Sequence, residues 1–467
     1  MIADPLTRLS ACAAVEAMRR GDITAERYAQ ALLQQAARLG QLNAFRTLDS
    51  DKVLEAARER DRERAAGRPC SALHGLPLPV KDSINTADLP TSNGTRALRD
   101  FRPARNAAVL EPLLAQGAIL MGKTNLHELS RGYTGNNGAF GAVRNPHRPD
   151  HVPGGSSGGS GAVVAARIAP LALAEDTLGS IRVPASMCGI TGLRPTYGRY
   201  PDAGVMSLTL DKFDQVGPLA RSVEDLILFD SIVTGDHECV SARELSSVRL
   251  GIVDALLDAV DAEVGHVVSD ALQRLHAAGI ELVHVSLPDV HQALAVASII
   301  IGYENMLSMS RFLREQQTGL TFEELLAQVS PNIRALYRTA APSHEVYETA
   351  LRQRESLRSE VQQCFAAHRI EALVFPPILV PPPLLGDNME VSVNGQPVSI
   401  RQAMGRNTAL GSVACLASLV LPAGLTTQGL PVGLEFAAPA GADRAVLSLG
   451  LSLQHALPVI PTPTMAS

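Results

Sequence analysis

Two serines and one lysine lie in segments whose composition suits nucleophilic chemistry on a carbonyl group. Ser156 and Ser180 belong to glycine-rich loops, and Lys81 follows the apolar run LPLPV. A serine hydroxyl attacks a carbonyl only when a base takes its proton. A buried lysine is such a base, because desolvation favours the neutral amine, and a second hydroxyl relays the proton because it both donates and accepts. The three residues therefore predict a hydrolase that needs neither histidine nor metal.

The loop that ends in Ser180 predicts a second element of this chemistry. Acyl transfer places negative charge on the former carbonyl oxygen, which converging backbone N–H groups stabilise. The amides of Thr177, Leu178, Gly179 and Ser180 supply such donors if the loop curls. The neighbouring glycines at 154–155 and 158–159 permit backbone conformations and close approaches that a side chain would block.

Composition narrows the classes of function. The chain has 467 residues, 46% of them apolar, and a net charge of −6 at pH 7. Charges of both signs are interspersed, so no basic patch indicates a nucleic-acid partner. The uninterrupted apolar runs are shorter than the ~20 residues that span a bilayer, and the N-terminus lacks the basic start of a signal peptide. The six cysteines are scattered without a CxxC pair, which favours reduced thiols in a cytoplasmic protein and no metal site.

Strand-sized apolar runs alternate with helical patterns, which indicates an α/β fold. The predicted strands cover 76–80, 118–122, 171–174, 248–253 and 372–375, and the predicted helices include 51–66, 162–169 and 261–278. For the domains, we expect an N-terminal helical segment, 1–65, packed on an α/β core. That core is formed by 66–240 and 366–467, and 241–365 is a mostly helical insertion or subdomain.

These segments resemble the amidase signature family, whose members share the pattern GGSSGGS…DTGGSIRxPA. The resemblance extends to GLPLPVKD at 75–82, GKTN at 122–125, RNP at 144–146, GITGLRPT at 189–196 and GLPVGL at 429–434. It spans roughly 65–235 and 370–455, with the lysine and both serines at the family's spacing.

The resemblance implies an α/β fold of the amidase-signature type, with a central mixed β-sheet covered by helices on both faces. It implies that Ser180 is the nucleophile, that Ser156 is a relay serine that follows a cis peptide bond, and that Lys81 is the base. The oxyanion hole then maps to the amides of residues 177–180, and no cofactor is implied. Leu178 replaces a glycine of the family pattern. A leucine at positive φ would be strained, and its side chain would reshape the acyl pocket.

The segments HELS at 127–130 and GITG at 189–192 look most like the indoleacetamide and mandelamide hydrolases of the family. This favours an aryl-substituted primary amide as a small-molecule substrate, with no nucleic-acid or membrane partner and with a homodimer left open. The candidate substrate-binding residues are Tyr133, Thr134, Asn136, Met187 and Ile190.

Other hypotheses fit parts of the sequence. Carbamates, anilides and esters suit the same mechanism, as does the glutamine amidase subunit of a tRNA-dependent amidotransferase. A third hypothesis is a catalytically silent binding protein. The GxSxG pattern around Ser156 also fits an α/β-hydrolase elbow with His284 or His368 as the histidine, but it leaves Lys81 and the Ser180 loop unexplained.

Four further charged residues are assigned structural roles. Lys123 follows a second predicted strand and is interpreted as structural rather than as a rival base. Asp82 and Asp176 flank candidate catalytic positions, and we expect them to accept hydrogen bonds from loop amides. Arg182 is expected to have a similar role.

Overall fold

A mixed sheet of eleven strands runs through the part of the chain that the computed structural model describes, residues 4–386 and 389–464. The strands are β1 (Phe45–Thr47), β2 (Pro77–Lys81), β3 (Ile119–Thr124), β4 (Leu171–Asp176), β5 (Thr191–Arg194), β6 (Gln215–Ala220), β7 (Arg249–Val253), β8 (Glu281–Val285), β9 (Ala372–Phe375), β10 (Glu390–Val393), β11 (Gln396–Ser399), β12 (Ala417–Leu425) and β13 (Pro431–Ala438). Of these, β10 and β11 form a separate hairpin.

The α-helices pack around this sheet. They are α1 (Ala11–Arg20), α2 (Ala25–Arg38), α3 (Ser50–Ala65), α4 (Leu110–Ala115), α5 (Gly158–Ala165), α6 (Arg182–Cys188), α7 (Val223–Thr234), α8 (Asp254–Leu257), α9 (Ala262–Ala277), α10 (Ala293–Glu315), α11 (Phe322–Gln328), α12 (Pro331–Ala335), α13 (His344–His368), α14 (Ile400–Gly405), α15 (Thr408–Val413) and α16 (Asp443–Ala456). The first three begin where Ser10, Thr24 and Asp49 accept hydrogen bonds from amides of the first turn, which satisfies donors that have no partner within the helix.

The order of the strands is β1-β3-β2-β4-β6-β5-β12-β13-β9-β7-β8. Strand β2 runs parallel to both β3 and β4, whereas β6 runs antiparallel to β4. Strand β7 is parallel to β8 and β9. Ligand sites in such sheets form at the carboxyl ends of parallel strands. Lys81 ends β2 and Asp176 ends β4, so this edge brings the candidate catalytic segments together.

Burial along the strands shows that both faces of the sheet are covered. Every residue of β2, β4, β6 and β13 is buried. Because successive side chains of a strand point to opposite faces, both faces must be packed against other elements. The predicted fold, a mixed sheet covered by helices on both faces, is confirmed.

The predicted helical insertion at 241–365 is too wide. Strands β7 and β8 lie inside it and belong to the main sheet, and α9 packs its buried face into the main core. The helical region proper runs from α10 to α13. The N-terminal segment is not purely helical either, since β1 pairs with β3 at the sheet edge. Short strands between amphipathic helices are masked by the helical composition of the whole region.

Among the described residues, the stretch Val290–Glu315 is long and apolar enough to cross a bilayer, by length and composition alone. More than half of it is buried inside the protein. Its buried face packs with α13 and Leu178 in one apolar cluster, which is the environment of a core helix.

Gly159 lies where α5 meets the end of β3. Its N–H donates to the carbonyl oxygen of Asn125 at 2.9 Å. A Cβ at this position would lie 2.3 Å from that oxygen and 2.5 Å from the carbonyl oxygen of Ala44. The helix predicted at 162–169 therefore begins earlier, at Gly158, because glycines let its first turn approach the strand.

Gly159→Ala is expected to lower the free energy of unfolding by about 1–3 kcal/mol, because the added methyl group overpacks a rigid backbone contact. Urea denaturation measures this change. Gly40→Ala is the control, since a Cβ there meets no atom within 4 Å. Equal stability of the two variants would contradict the close approach described for α5.

Candidate active site

The amine of Lys81 is held between a hydroxyl and a carboxylate, with no solvent exposure. Lys81 Nζ lies 2.6 Å from Ser156 Oγ and 2.7 Å from Glu175 Oε2. It also lies 3.4 Å from the backbone carbonyl oxygen of Glu175. Burial lowers the pKa of Lys81, and the carboxylate of Glu175 opposes this effect. The site therefore contains a lysine whose ammonium form is stabilised only by its immediate neighbours.

The two serine loops lie side by side. The Gly155–Ser156 peptide bond is cis, as the resemblance implied. The N–H of Ser157 donates to the carbonyl oxygen of Ser180 at 3.4 Å, and the Ser157 hydroxyl donates to the Glu175 carbonyl oxygen at 3.0 Å. Ser156 is fully buried and Ser180 is 6% exposed. The structure thus brings Lys81, Ser156 and the Ser180 loop together at one end of β4.

The carboxylate of Asp176 shapes the loop that carries Ser180. Its Oδ1 accepts from the Gly179 N–H at 2.7 Å, and its Oδ2 accepts from the Ile181 N–H at 3.0 Å. The same carboxylate accepts two hydrogen bonds from the guanidinium of Arg182. These contacts curl the loop around the side chain at its start, so the predicted hydrogen bonding of Asp176 to loop amides is confirmed.

Four buried charges surround this loop. Arg182 donates to Asp176 and, at 3.0 Å, to Glu435 Oε1, and Arg194 Nε lies 3.4 Å from Asp176 Oδ1. Burial by itself raises the pKa of Asp176, but the two guanidinium groups outweigh it and hold that pKa well below its usual range. Burial raises the pKa of Glu435, and Arg182 opposes the rise. Arg182 has the structural role that was predicted.

Leu178 does not adopt a positive φ, so the expected backbone strain does not occur. The positive φ of the loop, 117°, falls on Gly179 instead. A Cβ at Gly179 would lie 2.8 Å from the hydroxyl of Thr408, which itself donates to the Leu178 carbonyl oxygen at 3.0 Å. The leucine side chain packs into an apolar cluster with Leu208 and Phe213.

The predicted set of oxyanion donors changes in one member. The Gly179 N–H donates to Asp176 and is not free for a substrate. Within the described chain, the amides of Thr177, Leu178 and Ser180 donate to no protein acceptor. The reason for the difference is the short side chain of Asp176, which reaches the amide three residues further on.

Three of the predicted pocket residues lie close to the serine loops. A Cβ at Gly155 would meet the backbone of Tyr133 and Thr134 at 2.9 Å, so this segment packs directly against the cis peptide. Tyr133 and Met187 share one apolar cluster, and burial raises the pKa of Tyr133 to about 12. These residues are placed to form one wall of the site.

The other two predicted pocket residues lie further out. Asn136 donates to the carbonyl oxygen of Gly386. Ile190 belongs to the main hydrophobic core and lies beyond the end of α6 that is remote from Ser180. It lines a surface groove together with Pro458 and Ile460 of the C-terminal segment. The structure does not bring Ile190 to the site, because α6 points away from the nucleophile loop.

Lys123 occupies a separate buried network. Its Nζ donates to the Thr91 hydroxyl at 2.7 Å and lies 3.4 Å from Asp82 Oδ1. Burial lowers the pKa of Lys123 to about 8. Asp82 in turn accepts from the Ser92 N–H at 3.1 Å. The structural roles predicted for Lys123 and Asp82 are confirmed.

Glu175 was not predicted as a site residue, although the sequence contains a signal for it. Strand β4 reads LALAED, so two carboxylates end an otherwise apolar strand. Because charged residues are rarely buried without partners, this ending indicates nearby cations. The neighbouring strand β2 ends in Lys81, which supplies one of them.

Comparison with known proteins agrees with this geometry. The family model described as Amidase matches residues 27–447. A mandelamide hydrolase from Pseudomonas putida is 35% identical over 96% of this chain and 91% of its own length. An indoleacetamide hydrolase from Agrobacterium vitis is 31% identical over 97% of each chain. One component of the glutamyl-tRNA(Gln) amidotransferase of Chloroflexus aurantiacus is 33% identical over 96% of this chain and 97% of its own.

The solved structures include one described as an amidase, with 31% identity, a TM-score of 0.87, and coverage of 96% of this chain and 100% of the other. The chain therefore belongs to the amidase signature family. It is an amide hydrolase.

Asp176→Asn is expected to lower the free energy of unfolding by about 3–5 kcal/mol, because it leaves buried guanidinium groups without their carboxylate. Chemical denaturation measures the loss. The control is Asp100→Asn, whose side chain is 88% exposed beside Arg99 and is expected to change stability by less than about 1 kcal/mol. A small and equal effect at both positions would show that Asp176 does not organise the loop.

Proposed function

We propose that the chain hydrolyses amides through an acyl-enzyme intermediate on Ser180, with Ser156 as the relay and Lys81 as the base. The observation that carries this proposal is the 2.6 Å contact between Lys81 Nζ and Ser156 Oγ in a site closed to solvent. The hydrogen bond between the two serine loops supports a proton path from the Ser180 hydroxyl through Ser156 to the amine.

In the proposed reaction, Ser180 Oγ attacks the carbonyl carbon while its proton passes to Ser156 and the Ser156 proton passes to the neutral amine of Lys81. The C–N bond then breaks, and the proton returns through Ser156 to the leaving nitrogen, which departs as ammonia or an amine. Water attacks the acyl ester by the same proton path and releases the acid. Burial supports the neutral amine, because desolvation disfavours ammonium.

The proposed oxyanion donors are the amides of Thr177, Leu178 and Ser180. Fixed donors stabilise the charge that develops on the carbonyl oxygen without any reorganisation during the reaction. The hydrogen bonds from Gly179 and Ile181 to Asp176 support this role, because they hold the loop in its curled form before substrate arrives.

For the substrate, we propose an aryl-substituted primary amide of the indoleacetamide type. Two relatives are named for their action on mandelamide and indoleacetamide. The apolar cluster of Leu178 and Phe213 and the packing of Tyr133 with Met187 support an aromatic acyl group, since ligand pockets are mostly apolar. Carbamates, anilides and esters fit the same mechanism. The scattered cysteines favour a cytoplasmic location.

A second candidate is the glutamine amidase component of a tRNA-dependent amidotransferase. The similarity to the Chloroflexus protein favours it. That function requires polar or charged groups for the α-amino and α-carboxylate groups of glutamine, together with partner chains. The apolar surroundings of Leu178 support the aryl amide instead.

Ser180→Ala is expected to abolish turnover, because it removes the attacking oxygen. Lys81→Ala is expected to lower kcat by about 10²–10⁴-fold, the contribution of a positioned general base. Ser156→Ala is expected to be severe but to leave a measurable residual rate. Steady-state kinetics of ammonia release test all three, and full activity of Lys81→Ala would show that another group is the base.

A panel of aryl acetamides, anilides, carbamates, esters and glutamine tests the substrate. The highest kcat/KM is expected for an aryl-substituted primary amide, because its acyl group buries apolar surface beside the nucleophile. Release of ammonia, amine or alcohol gives the rates, and Ser180→Ala is the control for uncatalysed hydrolysis. A higher kcat/KM for glutamine would contradict this substrate and support the amidotransferase function.

A further inference from the structure

A buried carboxylate contacts the amine of Lys81. Glu175 is 1% exposed, and its Oε2 lies 2.7 Å from Lys81 Nζ. The Ser130 hydroxyl donates to the same oxygen at 3.3 Å. The acid is therefore part of the same closed compartment as the proposed base, although the proton path described above does not use it.

The contacts of Lys81 Nζ determine where a neutral amine directs its lone pair. A neutral lysine has two N–H bonds and one lone pair, whereas its three neighbours are one hydroxyl, one carboxylate and one carbonyl oxygen. The last two, both from Glu175, only accept hydrogen bonds. When both N–H groups point to Glu175, the lone pair faces the Ser156 hydroxyl, which is the orientation that a base needs.

A second acid lies behind Glu175. The Thr177 hydroxyl lies 3.0 Å from Glu175 Oε1 and 2.6 Å from Asp214 Oδ1. One hydroxyl carries one hydrogen, so it donates to only one of the two carboxyl groups. Asp214 also accepts from the amides of Leu208 and Thr209 at 2.7 and 2.9 Å.

A proton on Asp214 resolves the competition for the Thr177 hydroxyl. The protonated carboxyl donates to Thr177, which then donates to Glu175. Burial and the charge of Glu175 raise the pKa of Asp214 to about 6, in the direction that this arrangement requires. Glu175 is then the ionised acid of the pair, next to Lys81.

We propose that Glu175 is a positioning residue for this hydrolysis: its carboxylate orients the Lys81 amine toward Ser156 and sets the pH at which that amine becomes free. The proposal rests on the proposed function of Lys81 as the base. It assigns Glu175 no covalent step, because the proton that leaves Ser180 ends on Lys81.

The sign of the pH effect follows from the charges around Lys81. An opposite charge within about 4–6 Å favours the ammonium form and moves a lysine's titration upward by about 1–3 units. Glu175 is in direct contact, and Asp176 and Asp214 act in the same direction. His127 is buried nearby, and burial together with the charge of Lys81 lowers its pKa to about 4, so it stays neutral. Because the base must be neutral, activity is lost as the pH falls, and Glu175 places this loss at a higher pH than burial alone would.

The test is the dependence of kcat/KM on pH for wild type, Glu175→Gln and Glu175→Asp, on the best amide of the panel. Glu175→Gln keeps an acceptor oxygen but removes the charge, so its acidic limb is expected to move to lower pH by about 1–3 units. Glu175→Asp keeps the charge but withdraws it, so its acidic limb is expected to stay in place while kcat falls and KM is unchanged. An unshifted or upward-shifted limb in Glu175→Gln would overturn the proposal.

Two further variants separate the possible failures. Glu304→Gln is the matched control, since Glu304 is an equally buried acid whose partners are Leu210 and Tyr347; its acidic limb is expected to match wild type. Lys81→Ala tests the proposed function itself. If it retains full activity, the base is wrong, whereas an inactive Lys81→Ala with an unshifted Glu175→Gln refutes only the role of Glu175. If Glu175→Gln does not fold, wild-type kcat in Glu175→Asp refutes the positioning role.

Discussion

The carboxylate of Asp176 is the contact on which the arrangement of the site depends. It binds the amides of Gly179 and Ile181 and the guanidinium of Arg182, with Arg194 at 3.4 Å. These partners come from the nucleophile loop, from α6 and from β5, so one buried group fixes the loop relative to the sheet. An unpaired buried charge is costly, and the carboxylate and the two guanidinium groups therefore require one another.

Successive residues at the end of β4 serve opposite sides of the sheet. Neighbouring side chains of a strand point to opposite faces, so Glu175 contacts Lys81 while Asp176 contacts Arg182. Strand β2 runs parallel to β4 and ends in Lys81, which places the amine at the same edge. The sheet thus separates two buried ionic clusters, one around the proposed base and one that holds the nucleophile loop.

The sequence predicts much of this arrangement, because residue types at fixed spacing report directly on chemistry. The strand ending before Lys81, the cis bond at Ser156 and the structural role of Asp176 are confirmed. The predictions fail where they depend on the path of the chain in space. Nothing local shows that β7 and β8 return to the main sheet, or that α6 carries Ile190 away from the serines. Glu175 was missed because its meaning depends on the lysine of a neighbouring strand, which only the pairing of β2 with β4 reveals.

The identity of the nucleophile is the central claim, and mapping a covalent adduct tests it most directly. The folded protein is treated with a fluorophosphonate, digested, and sequenced by mass spectrometry. The account predicts a phosphonyl group on Ser180, an unmodified Ser156, and much slower labelling in Lys81→Ala. An adduct on Ser156, or active enzyme that carries none on Ser180, would contradict it.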